Sequence, residues 1–117
     1  MTAARKAEYT VAWRKDGRDE KRPIWGEVYG TPPVVGVHKA DDGMFTLTHL
    51  ATGMSMRRYK KLMDARKVAR ACAADSADTA WSNANLKPSL VEDEPPAHRA
   101  QRMHLRDIIM EAERMSS

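Results

Sequence analysis

Four histidines, one cysteine and two adjacent aspartates are the side chains that could support catalysis or metal binding, and their spacing limits each of them. His38 and His49 lie on two runs that read as neighbouring strands, near enough to share a metal ion. A closed zinc site needs two further ligands, and His98 and His104, six residues apart, face different sides of their helix. No metal is expected. Cys72 would act as a nucleophile only beside a base in electropositive surroundings; it falls on an apolar helical stripe, where a packing role is expected. Asp41 and Asp42 could pass for a carboxylate pair, but they precede Gly43 at a hairpin tip, and turn chemistry accounts for both. The chain contains no glycine-rich phosphate loop, zinc-ligand spacing or hydrolase motif. A binding protein without catalytic residues or a cofactor is the expectation.

What remains is charge. The 117 residues carry a formal net charge of +4, unevenly spread. Residues 1–39 hold 8 basic and 5 acidic side chains, residues 40–72 hold 7 and 3, and residues 73–117 hold 5 and 8. The basic excess sits in the middle of the chain, where it could meet a phosphate backbone or an acidic protein surface. A solvated surface is the plainer reading of the same residues. One cysteine allows no internal disulfide and agrees with a reducing compartment. The N-terminal MTAARKAEYT lacks the apolar stretch of a secretory signal, and no segment approaches the roughly 18 apolar residues of a membrane span. A cytoplasmic location with no membrane contact is expected.

The elements that must position these residues fall within one expected domain, 1–117. EYTVAWRK (8–15) alternates like a strand with Tyr9, Val11 and Trp13 on one side. Gly17 and the charged run to Arg22 read as a loop, and IWGEVYG (24–30) reads as a second strand, ended by Thr31-Pro32-Pro33. Asp42-Gly43, between VVGVHKAD and MFTLTHLA, has the composition of a two-residue type I′ hairpin, in which both turn positions need positive φ. Thr52-Gly53 suggests a further turn before MSMRRY. Leu62, Ala65, Ala69 and Cys72 recur at helical spacing with Val68 beside them, which predicts a helix over 62–75. SNANLKPSLVEDEPP (82–96) reads as a linker. A last helix over 97–115 starts after Pro95-Pro96, has Glu92, Asp93 and Glu94 near its positive end, and carries a stripe of Leu105, Ile108, Ile109, Ala112 and Met115. The fold class is α+β: an antiparallel sheet of three to five strands, β-rich over 8–59, packed on a helix, with a separate C-terminal helix.

A two-residue turn at Asp42-Gly43 pairs Lys39 with Thr46, Val37 with Thr48 and Val35 with Leu50. Treating Thr52-Gly53 likewise adds Ser55, Arg57 and Tyr59 to the same face. Phe45, Leu47, Met54 and Met56 then form the apolar face that seats the helix. The opposite face carries Lys39, Thr46, Thr48 and Arg57 among Val35, Val37, Leu50 and Tyr59. Together with Arg58, Lys60 and Lys61 it is the expected surface for nucleic acid or another partner. A one-residue slip would exchange the faces. The order strand, strand, strand, helix, with Gly43 and Gly53 at the turns, Tyr59 closing the third strand and Asp64-Ala65 opening an alanine-rich helix, resembles the AP2-type and arm-type integrase DNA-binding domains. That resemblance implies a sheet face that enters the DNA major groove, and it touches Lys39, Thr46, Thr48 and Arg57. The wording FTLTHLATG before an alanine-rich helix is also similar to small proteins of phages and mobile elements.

The last helix offers another surface. Arg99, Arg102 and Arg106 lie along one side of its first half, while Asp107, Glu111 and Glu113 crowd its second half, against the preference of the helix dipole. Eight methionines could fill an irregular core or line an adaptable protein-binding surface. Two functions follow. The first is binding of nucleic acid or a nucleoprotein complex through the basic sheet face. The alternative is a phage-encoded, anti-CRISPR-like inhibitor that binds a host defence protein, with Arg99, Arg102 and Arg106 as its contact face. Two chains could also pair through this helix as a homodimer.

Overall fold

The computed structural model describes residues 5–86 and 94–115. The chain runs through β1 (Arg5–Lys15), β2 (Arg18–Tyr29), β3 (Val35–Lys39), β4 (Phe45–His49), β5 (Met54–Tyr59), α1 (Leu62–Ala74), a short 3-10 turn at Thr79–Trp81, and α2 (Pro96–Arg114). The strands form one antiparallel sheet in sequence order, giving the expected α+β fold with five strands and a distinct C-terminal helix. Part of the expected linker, 87–93, lies outside the described residues, and Glu92 and Asp93 with it. No helix among the described residues is long and apolar enough to cross a membrane.

The tight type I′ turn is at Asp16-Gly17, where both residues have positive φ, 53° and 77°, between the closing pair Lys15 and Arg18. Residues 17–22, expected as a loop, therefore belong to a long hairpin in which β1 pairs with β2 along its full length. The outer half of this hairpin has no third strand beside it, since β3 pairs only with Glu27, Val28 and Tyr29. Residues 18–22 carry no apolar side chain, so the alternation that reveals a half-buried strand is missing from the start of the second arm. Pro23 is tolerated opposite Thr10, because its absent N–H faces no neighbouring ladder.

The other two turns are longer than two residues, and this moves the register. Between β3 and β4 only Gly43 has positive φ. Its N–H donates to the Ala40 carbonyl at 2.9 Å, and Ala40 N donates to the Met44 carbonyl at 2.8 Å. This is a type I turn followed by a left-handed glycine, a three-residue connection. Val35 consequently opposes His49, Val37 opposes Leu47 and Lys39 opposes Phe45. Between β4 and β5 the Gly53 N–H donates to the His49 carbonyl at 2.7 Å, His49 opposes Met54, and an irregularity follows at Leu47/Thr48. The expected pairing of Lys39 with Thr46, Val37 with Thr48 and Val35 with Leu50 is thus corrected by one residue. On β3 the faces exchange: Val35 and Val37 join Phe45 and Leu47 on the helix side, while Gly36, His38 and Ala40 share the other face with Thr46 and Thr48. Phe45, Leu47 and Met56 keep their expected place against the core, and Tyr59 joins them there.

α1 seats closely on the sheet because its inward residues are small: Ala65, Val68, Ala69, Cys72 and Ala73 are all buried. They pack with Val35, Val37 and Leu47, and α2 adds Leu105, Ile109 and Ala112. Met115, expected on that stripe, is 71% exposed, and Arg102 takes an inward position instead. Cys72 is fully buried, and burial, with Asp75 nearby, pushes its thiol up to about 12. A maleimide should therefore leave the folded protein unmodified and label Cys72 only after denaturant is added, as intact mass would show.

Polar bonds tie the end of α1 to α2. Trp81 Nε1 donates to Asp75 Oδ2 at 2.9 Å, and the same oxygen lies 2.6 Å from His104 Nε2. His104 is held above its ordinary value of 6.5, first by this bond and further by the charges of Asp75, Asp78 and Asp107. Its contribution to stability is complete below the unfolded value and is lost as pH rises through the folded one. The melting-temperature gap between the protein and a His104→Gln variant should therefore be widest near about pH 6 and narrow in alkaline buffer. His49 behaves oppositely. Fully buried, it donates from Nε2 to the Ala80 carbonyl at 2.8 Å and has Thr52 Oγ1 2.9 Å from Nδ1. Burial lowers its pKa against the opposing Ala80 bond, so the stability it supplies is present above the ordinary histidine value and lost as pH falls through the lowered one.

The face opposite the helices is also covered. β1 crosses it until Ala12 N donates to the Gly53 carbonyl at 2.7 Å, joining the first strand to the start of the last. Tyr9 lies so close to Gly36 that a Cβ there would stand 2.5 Å from its ring, which only glycine permits. The sheet therefore curls until its edges touch, with the helices outside and a concave interior under β1.

Candidate functional site

The side chains expected to form one outer basic face are dispersed. Thr46 and Thr48 are 7% and 1% exposed, beneath β1 on the concave side. Arg57 points to the helix side, where it donates to Glu113 from Nε at 2.9 Å and from Nη2 at 2.8 Å. Tyr59 Oη donates to the same carboxylate at 2.7 Å. Arg58 is on the concave face and pairs with Asp42 at the β3–β4 tip. Lys39 is exposed beside that tip, and Lys60 and Lys61 are exposed where β5 passes into α1. About half of the basic excess of residues 40–72 is thus matched internally, since Arg66 is also paired, with Glu27 at 2.6 Å.

The alternative face divides as well. Arg102 is buried and donates to Glu94 at 2.8 and 3.1 Å, holding that carboxyl below the ordinary range. Arg99 and Arg106 remain exposed. His38 and His49, expected as neighbours, lie on opposite faces of the sheet because their register differs by one residue from an aligned pair. Among the described residues no group of three histidine, cysteine, aspartate or glutamate side chains could hold a metal.

What the fold does bring together is a groove at the base of the β1–β2 hairpin. One hollow of about 310 Å³ lies under β1, with Val11, Trp13 and Ala40 as apolar walls, Thr46, Thr48 and Ser55 as hydroxyl-bearing residues, and Arg58 at its edge. An adjoining hollow of about 300 Å³ shares Val11, Trp13, His38 and Ala40 with the first and reaches Arg22, Trp25, Lys39 and Asp41. Trp13 and Trp25 are 41% and 66% exposed, and the Arg22 guanidinium stands over the Trp13 ring, 5.1 Å from its centroid. This cation–π contact follows from the register. Val11 opposes Arg22 and Trp13 opposes Glu20, so Trp13 and Arg22 are diagonal neighbours on one face.

His38 sits where the hollows meet. Burial lowers its pKa, the Arg22 charge lowers it further, and Asp41 opposes both, so the imidazole is neutral at pH 7 and can donate and accept. Tyr9 Oη lies 3.4 Å from its Nδ1, and burial raises the phenol well above its ordinary value, so it stays protonated. The groove thus combines an indole wall, neutral hydrogen-bonding groups inside and cationic groups at its mouth. Trp13, Trp25 and Arg22 carry this arrangement, and sequence reasoning did not select them. The available signal was two tryptophans interleaved with Arg14, Arg18, Lys21 and Arg22 on an extended run.

Compared with protein-family models, with curated proteins and with solved structures, the chain has no match in any of the three.

Proposed function

We propose that the protein binds single-stranded nucleic acid, free or displayed by a nucleoprotein complex, along the groove at the base of the β1–β2 hairpin. The observation that carries this reading is the exposed Trp13 ring under the Arg22 guanidinium, with exposed Trp25 also lining the adjoining hollow. Exposed aromatic rings set among cations are the elements on which unpaired bases stack while their phosphates are neutralised. Arg22 and Lys39 are exposed and line the groove. Lys60 and Lys61 follow Tyr59, which opposes Phe45, and so stand at the same end of the sheet. An unpaired strand suits the groove better than a duplex, because β1 occupies the concave face that a major groove would have to meet.

Anisotropy of a labelled single-stranded oligonucleotide tests it. Binding is expected at low salt, with log K falling against log salt at a slope of roughly −2 to −3 for three or four phosphate contacts. Absence of binding to single-stranded DNA and RNA at low salt overturns the reading, and tighter binding to duplex overturns its single-stranded form.

A second reading, a protein-binding inhibitor or adaptor, is favoured by the outward side of α2. Met103 and Met110 are exposed there, at helical spacing with exposed Arg99 and Arg106. A stoichiometric protein complex that survives high salt and is lost in the double variant Arg99→Glu, Arg106→Glu would support this reading. Oligonucleotide binding lost in the same variant would count against it.

A further inference from the structure

The hollow under β1 contains two hydroxyls with no protein partner. Thr46 and Thr48 are more than nine-tenths buried and both line the hollow. Among the described residues no hydrogen bond joins either hydroxyl to a side chain or to the backbone. No fully buried side-chain nitrogen or oxygen among the described residues lacks a partner, so both hydroxyl oxygens keep contact with solvent, and a ligand entering the hollow can take over that contact.

The shape and charge of the space narrow what that is. At about 310 Å³ it stands at the small end of ligand sites, which run from about 300 to 1,000 Å³, so it admits one compact group. Its walls are apolar at Val11, Trp13 and Ala40, and Arg58 is its one charged lining residue among those described. Hydroxyls and a neutral imidazole can match the donor and acceptor pattern of an uncharged polar ring, but they would leave a buried charge uncompensated. Arg58 at the edge, and Arg22 on the adjoining wall, suit an anion that stays at the mouth. A planar, neutral, hydrogen-bonding ring joined to an anionic group is the chemistry of a nucleotide.

We infer that the hollow takes one unpaired nucleobase, its ring against Trp13, its edge bonded by Thr46 and Thr48, and its phosphate at Arg58 and Arg22. The identity of this ligand rests on the single-strand reading above. Asp42 now pairs with Arg58. Both side chains are about half exposed, 48% and 46%, and such pairs are weakly held, so an incoming phosphate can replace the carboxylate. Asp42→Asn should accordingly tighten oligonucleotide binding a few-fold, and unchanged or weaker binding would remove this part of the inference.

The test compares the full chain with its Thr46→Val and Thr48→Val variants, which keep side-chain shape, after melting curves confirm that they fold. The probes are a single-stranded oligonucleotide, the same oligonucleotide with abasic positions, the four mononucleotides, and inorganic phosphate. Intact oligonucleotide should bind about tenfold or more tightly than the abasic one. Thr48→Val should lose about fivefold on the intact strand and nothing on the abasic one. A mononucleotide should compete and inorganic phosphate should not. Equal affinity for intact and abasic strands, or unchanged affinity in both folded valine variants, overturns base recognition while leaving hairpin binding standing, with water as the partner of the hydroxyls. Saturable mononucleotide binding without oligonucleotide binding does the reverse: it supports the hollow as a nucleotide site and overturns the single-strand reading.

Discussion

Replacing Trp13 by alanine should weaken binding of a single-stranded oligonucleotide by roughly 10- to 100-fold, with little change in melting temperature. A base stacked on an aromatic side chain is worth about 1–3 kcal/mol by alanine substitution, and each 1.4 kcal/mol is about tenfold. Trp13 also forms a wall common to both hollows and is the ring over which Arg22 is held, so its loss loosens a phosphate contact as well as the stack. Stability should be spared because Trp13 lies outside the buried core, in the half of the hairpin that has no third strand beside it. The control is Met103→Ala on the exposed side of α2, which should leave the oligonucleotide affinity unchanged. If Met103→Ala costs as much as Trp13→Ala, the groove is not the binding surface.

Trp81→Ala should do the opposite, destabilising the fold by about 3–5 kcal/mol, the usual cost of truncating a large buried aromatic side chain. Trp81 is 1% exposed. It anchors the segment after α1 through its bond to Asp75 and stands beside the buried His49 ring, 6.1 Å between centroids. Removing it opens a cavity and leaves the Asp75 carboxylate with fewer donors. Against a total stability that is ordinarily about 5–15 kcal/mol, the loss should lower the melting temperature by roughly 10–20 °C for a chain of this size. Trp81→Phe, which retains most of the bulk and loses only the indole N–H, should cost clearly less. Equal losses for the two variants would mean that the Asp75 bond matters more than packing.

The contrast between these two tryptophans also explains what the sequence could reveal. Both sit among small or polar neighbours, and nothing local to either residue separates a ring buried between helices from one left in water. The helices were legible because a buried stripe repeats at helical spacing. Ala65, Val68, Ala69 and Cys72 face the sheet as their spacing requires, and α2 begins at Pro96, where proline costs nothing. The β3–β5 strands were legible as elements, yet their register was not. Asp42-Gly43 suits a two-residue turn by composition, but with Asp42 outside the left-handed region the same dipeptide ends a three-residue connection, and one residue moves every side chain on the partner strand. The true two-residue turn, Asp16-Gly17, was hidden by its second flank, since residues 18–22 are all charged and have no apolar alternation to mark a strand. The candidate site then followed the register: Thr46 and Thr48 passed from a supposed surface to a covered interior, and Arg57 passed to the helix side.

Ultraviolet cross-linking of a bound single-stranded oligonucleotide, with the cross-linked peptides identified by mass spectrometry, tests the location of binding most directly. The expected result is cross-links at Trp13 or Trp25, lost when unlabelled oligonucleotide competes. Cross-links confined to α2, with none on the β1–β2 hairpin, would contradict it.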